Sequence, residues 1–143
     1  MPEQTTSSIV VDASPGEVMA VIADFAAYPL WAKGVETAEV VAGAPGQRAE
    51  KVRFELDVPP IHDEYTLAYT WRDLDVSWTL AEGKMLKMLD GSYVLRPVEE
   101  GTEVTYSLSA ELAIPMIGMI KRKGEKILID TALKGLKKRV ESL

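Results

Sequence analysis

The chain has no cysteine. That excludes disulfide frameworks, zinc ribbons, thiol nucleophiles and dithiol redox pairs. It also fits a reducing, cytoplasmic setting. There is one histidine, His62, so no multi-histidine metal cluster can form. No apolar run approaches the ~20 residues of a membrane-spanning helix. The start, Met1-Pro2-Glu3-Gln4-Thr5-Thr6, has neither a basic nor an apolar signal region, so no secretory leader is expected. Internal repeats, low-complexity runs and linkers are missing too. So are a Ser-His-Asp set, a glycine-rich phosphate loop and a carboxylate pair. Asp24, Asp90 and Glu111 stand apart. Asp90, beside Gly91, is the best candidate for a buried acid, although exposure or a turn hydrogen bond is its expected role.

Positive charge is scarce as well. The 143 residues carry a net charge of −6, which argues against a nucleic-acid partner. The charge is uneven. Residues 1–113 hold 8 basic and 19 acidic side chains, whereas residues 114–143 hold 8 basic and 3 acidic ones. The composition, 47% hydrophobic and 27% charged, is that of a globular protein. The length suits a single domain over 1–143. A chain of this size buries roughly two-thirds of its unfolded surface and needs no staple.

The period of the apolar residues sets the elements. Thr5–Asp12 reads as a strand. Ser14, Pro15 and Glu17 then form a helix start, with a capping serine, a proline in the first turn and an acid three residues on. Val18, Val21, Ile22 and Phe25 follow at helical spacing. Pro29 breaks the helix near Tyr28, leaving a short second helix or turn. From Gly34 the period becomes two. Strands are predicted over 35–42, 48–58, 61–72, 76–80, 89–96 and 104–112, with residues 82–87 as a connection. Pro115–Ser142 reads as one long helix. Its apolar stripe is predicted as Ile117, Ile120, Ile127, Leu128, Leu133, Leu136 and Val140, with Lys121, Arg122, Lys123, Lys126, Lys134, Lys137 and Lys138 mostly opposite. The fold class is therefore α+β: a curved seven-stranded antiparallel sheet around a long C-terminal helix, with two short helices after the first strand. A helix across a concave sheet tends to leave space, and apolar space is the usual form of a ligand site.

Three stretches carry a family resemblance. One is Val11-Asp12-Ala13-Ser14-Pro15-Gly16-Glu17-Val18 running into Ala23-Asp24-Phe25-Ala26-Ala27-Tyr28-Pro29-Leu30-Trp31. Another is Gly91-Ser92-Tyr93-Val94-Leu95-Arg96-Pro97 followed by Gly101-Thr102-Glu103-Val104-Thr105-Tyr106. The third is the basic terminal helix. In this order they resemble the helix-grip fold of the START and Bet v 1-like (SRPBCC) superfamily, and its bacterial polyketide cyclase/dehydrase-like branch. The resemblance covers nearly the whole chain. It implies a scaffold whose pocket residues vary with the ligand. No cofactor is expected.

The candidate ligand-binding residues are Phe54, Leu56, Tyr65, Tyr69, Trp71, Trp78, Tyr93, Leu95 and Tyr106 from the strands, and Ile117, Ile120, Gly124 and Ile127 from the helix. Any single aromatic reads equally as core. Together they say more: phenol hydroxyls on inward positions need partners, and a dry core would use phenylalanine. The chain has only two. Gly124 either leaves room for a ligand or packs closely on an aromatic. His62 alternates with the polar side and is expected at the surface, and no metal site is expected. The basic helix face, with Met85–Leu89 and Met116–Ile120, leaves transient membrane contact open against a solvated face. Two readings follow. One is a binder or carrier of a lipid, quinone or polyketide-like molecule. The other is a polyketide cyclase, aromatase or dehydratase, against which the lack of an internal histidine or acid pair argues. Either is compatible with a monomer or a homodimer.

Overall fold

Local chemistry starts the first helix. Ser14 has extended backbone, and its Oγ accepts the Glu17 N–H at 3.2 Å. Pro15 sits in the first turn, where its missing N–H costs nothing. Helix α1 runs Pro15–Ala23. A 3₁₀ turn, Phe25–Ala27, leads into the one-turn helix α2, Tyr28–Trp31. Pro29 thus opens a new helix rather than only ending the old one.

The structure, a computed structural model, describes residues 4–43, 48–58, 61–112 and 118–143, with backbone alone at 58, 61, 112 and 118–121. Its strands are β1 (Thr5–Val11), β2 (Val35–Ala42), β3 (Lys51–Val58), β4 (Ile61–Trp71), β5 (Asp75–Gly83), β6 (Leu86–Val98) and β7 (Gly101–Leu112). They form one antiparallel sheet in the order β1-β7-β6-β5-β4-β3-β2. The long C-terminal helix α3 spans Gly118–Glu141. The expected architecture is therefore present.

Two boundaries differ from the sequence reading for a visible reason. The connection expected over 82–87 shrinks to a tight turn between β5 and β6. Asp63, only 2% exposed, supplies what the turn lacks. Its carboxylate accepts the N–H groups of Glu64, Lys84, Met85 and Leu86 at 2.8, 3.3, 3.1 and 3.1 Å. Amides satisfied in this way need no longer loop. The β6–β7 hairpin closes similarly tightly. Gly101 takes φ 140°, and a Cβ there would overlap the Val11 carbonyl.

The register gathers the aromatics. Phe54 lies opposite Tyr65, Tyr69 opposite Trp78, and Tyr93 opposite Tyr106. Residues opposite one another share a face. Gly91 pairs with Trp78, and a Cβ at Gly91 would run into the indole. Glycine is required so that this ring can lie across β6.

Helix α3 corrects its predicted stripe. The buried positions are Glu125, Ile129, Leu133, Leu136 and Val140, a 3.6-residue repeat. Ile127, two residues before Ile129, lies about 200° around the helix. It is 57% exposed, and Leu128 is 38% exposed. The buried acid in that repeat has a function. The described β1 ladder begins at Thr5 opposite Leu108, and Ala110 lies beyond it. Glu125 accepts the Ala110 N–H at 3.1 Å and the Thr5 hydroxyl at 2.8 Å. A carboxylate thus closes the strand edge where β1 has ended. The main neighbours of α3 are β1, β7, α1 and α2. The helix rests over one end of the sheet.

Candidate functional site

The inward face of β3–β7 and the α1–α2 segment hold every aromatic residue of the chain: two Phe, three Trp and five Tyr. Their ring contacts form one connected network. Trp31 meets Tyr28 at 4.8 Å between centroids, and Tyr28 meets Phe25 at 4.9 Å and Phe54 at 6.0 Å. Phe54 stacks on Tyr65 at 5.5 Å. Phe25 also reaches Tyr69 at 5.1 Å, and Tyr69 stacks on Trp71. From Tyr69 the network passes to Trp78, then to Tyr93 and Tyr106. Such contacts add to the stabilisation from buried area.

The polar tips of these rings divide into two groups. Tyr28 donates its hydroxyl to the Ile22 carbonyl, and Trp71 donates Nε1 to the Ala49 carbonyl at 2.6 Å. The hydroxyls of Tyr65, Tyr69, Tyr93 and Tyr106 have no protein partner among the described residues. Among the described residues, Trp31 Nε1 and Ser109 Oγ are closed off from solvent without a partner. Burial raises the pKa of each well above 10, and neighbouring phenols add to the shift for Tyr69 and Tyr106. All four stay protonated donors through the neutral range.

The structure brings together most of the sequence candidates. Phe54, Trp78, Tyr93, Leu95 and Tyr106 are buried on this face, and Leu56, Tyr65, Tyr69 and Trp71 are half-buried beside them. Gly124 does not pack on an aromatic: a Cβ there would meet nothing within 4 Å. Ile127 turns to solvent. Ile117 and the side chain of Ile120 lie outside the described residues. The sequence reading omitted Phe25, Tyr28 and Trp31. The spacing of Tyr28 and Trp31, three apart and therefore on one side of a helical turn, was the available signal. His62 is exposed, 3.7 Å from Asp57, and Asp24, Asp90 and Glu111 are exposed too. No group of three or more potential metal ligands occurs among the described residues. No helix among them is long and apolar enough to cross a membrane.

A concavity of about 320 Å³ lies between α1, α2 and the end of α3. Ala20, Val21, Trp31, Val140 and Leu143 line it, with Glu17, Asp24 and Arg139 also contributing. Trp31 belongs to both places, lining this groove and touching the Tyr28 ring.

A curved antiparallel sheet closed at one end by a long helix, with an aromatic inner face, defines the helix-grip class. A START superfamily protein from Mycobacterium smegmatis superposes with TM-score 0.89 at 19% identity, over 97% of each chain. A protein of Thermus thermophilus gives 0.82 at 27% identity, over 98% of each. The Zhui aromatase/cyclase from a Streptomyces species gives 0.81 at 13% identity, over 99% of this chain and 94% of that one. Residues 2–141 match the family model described as polyketide cyclase / dehydrase and lipid transport, and the chain belongs to that family. No curated protein matches the sequence.

Proposed function

We propose that the chain is a single ligand-binding domain that takes up a hydrophobic small molecule of lipid, quinone or polyketide kind on its aromatic face beside α3. The observation that carries this reading is the set of four open hydroxyls, on Tyr65, Tyr69, Tyr93 and Tyr106, within an otherwise apolar face. A finished core has no use for them. A bound molecule with oxygen atoms would satisfy them. Burying roughly 300 Å² of apolar ligand surface would contribute about 7 kcal/mol before association costs.

Carriage suits the residues better than catalysis does. Among the described residues, the inward strand positions hold no histidine, lysine or arginine. Asp63, the one carboxylate there, is fully engaged by the β5–β6 turn. A cyclase built here would have protonated phenols to polarise carbonyls but no general base. We place the carrier in a bacterial cytoplasm.

Native mass spectrometry of protein purified from its own host tests the proposal. The expected result is a non-covalent adduct of a few hundred daltons that leaves on denaturation. A ligand-free mass, with no tryptophan fluorescence change on adding quinones or flavones, would contradict it.

A further inference from the structure

We infer that this site, if it binds as proposed above, selects uncharged ligands and rejects the anionic forms of otherwise identical molecules. The inference rests on that binding reading and on the distribution of charge around the rings.

Antiparallel pairing fixes which side chains point inward. From Phe54 opposite Tyr65, through Tyr69 opposite Trp78, to Tyr93 opposite Tyr106, the inward side chains apart from Asp63 carry no charge at neutral pH. Among the described residues, the buried ionisable groups other than tyrosine are two acids, Asp63 on this face and Glu125 on α3. Asp63 accepts four backbone N–H groups, and Glu125 accepts the Ala110 N–H and the Thr5 hydroxyl. Among the described residues one cation touches the rings. Arg48 lies 5.2 Å over Trp71, is exposed, and donates to the Met19 carbonyl at 3.2 Å. The lysines of α3 with described contacts are turned away. Lys126 pairs with Asp130 and reaches Ser7, while Lys137 pairs with Glu141 and reaches the Val10 carbonyl.

A carboxylate or phosphate entering this face would lose water and meet no counter-ion among the described residues. The tyrosine hydroxyls could each donate one hydrogen bond, but the buried carboxylate of Asp63, on the same strand face as Tyr65, would repel it. A carbonyl, ester, amide or ether accepts the same donors without that electrostatic cost. Free fatty acids and phospholipid headgroups are therefore poor ligands. Neutral, oxygen-bearing ring systems are good ones, and the stacked pairs Phe54–Tyr65 and Tyr69–Trp71 offer flat surfaces to them.

A matched pair of probes tests this. Anthraquinone-2-carboxamide and anthraquinone-2-carboxylate share rings and shape and differ in charge at pH 7. Titration calorimetry with the full chain should show the carboxamide binding at least about tenfold more tightly, which is a bound-state pKa rise of one unit for the acid. Lowering the pH toward the range in which the acid itself titrates should narrow the gap. Equal affinities at pH 7 would overturn the inference and leave the binding reading intact. If neither probe binds, both fail.

Discussion

One sheet serves two different interiors. Over β1 and β7, the α3 side chains Ile129, Leu133, Leu136 and Val140 meet Val11 and Val104, each at most 5% exposed. The strand edge there is closed by Glu125. Across β3–β6, and at Tyr106 of β7, the interior is built from rings, and four of their hydroxyls have no protein partner among the described residues. The first region is packed from aliphatic side chains. The second carries phenol donors that the described protein groups do not use.

Alkaline pH should give the largest effect, and it acts on the aromatic region. In the unfolded chain the phenols ionise near pH 10.0, whereas in the fold burial keeps them protonated. Unfolding then releases protons, so stability falls as pH rises above 10 and is insensitive to these groups below it. Each retained proton counts for about 1.4 kcal/mol per pH unit, so several phenols together cost several kcal/mol. Phenolate absorbance should appear cooperatively with loss of circular dichroism. A gradual titration centred on pH 10 with the fold intact would contradict this.

Leu136→Ala probes the aliphatic region. Its side chain is fully buried, and urea denaturation should show a loss of about 2–5 kcal/mol. Gly91→Ala comes next. The added methyl must displace the Trp78 indole, with an expected loss of about 1–3 kcal/mol and a shifted tryptophan emission. Tyr93→Phe should do least, within about 0.5 kcal/mol, because the deleted hydroxyl has no protein partner to strand. A loss above about 2 kcal/mol for Tyr93→Phe would erase the distinction between the two regions.

The sequence made the strands and the first helix legible because both are local signals. Val52, Phe54 and Leu56 alternate with Arg53 and Glu55, and Ser14-Pro15-Gly16-Glu17 carries its own cap. The inward aromatics followed from the same alternation. What stayed hidden depends on tertiary partners. Glu125 reads as a surface acid until the end of β1 leaves the Ala110 N–H open, and that placement fixes the helix face that excludes Ile127. Asp63 reads as a strand-start acid until the three amides of the β5–β6 turn arrive. Tyr28, next to a proline, looked like a breaker rather than part of the ring network.

The central claim is that the two interiors differ in their capacity for a guest. Tyrosine-ring and methyl NMR spectra during titration with anthraquinone-2-carboxamide test it most directly. Large shifts are expected for Tyr65, Tyr69, Tyr93 and Tyr106, with little change at Ile129, Leu133 and Leu136. Shifts confined to the aliphatic methyls, or to residues of the outer groove such as Val140 and Leu143, would contradict it.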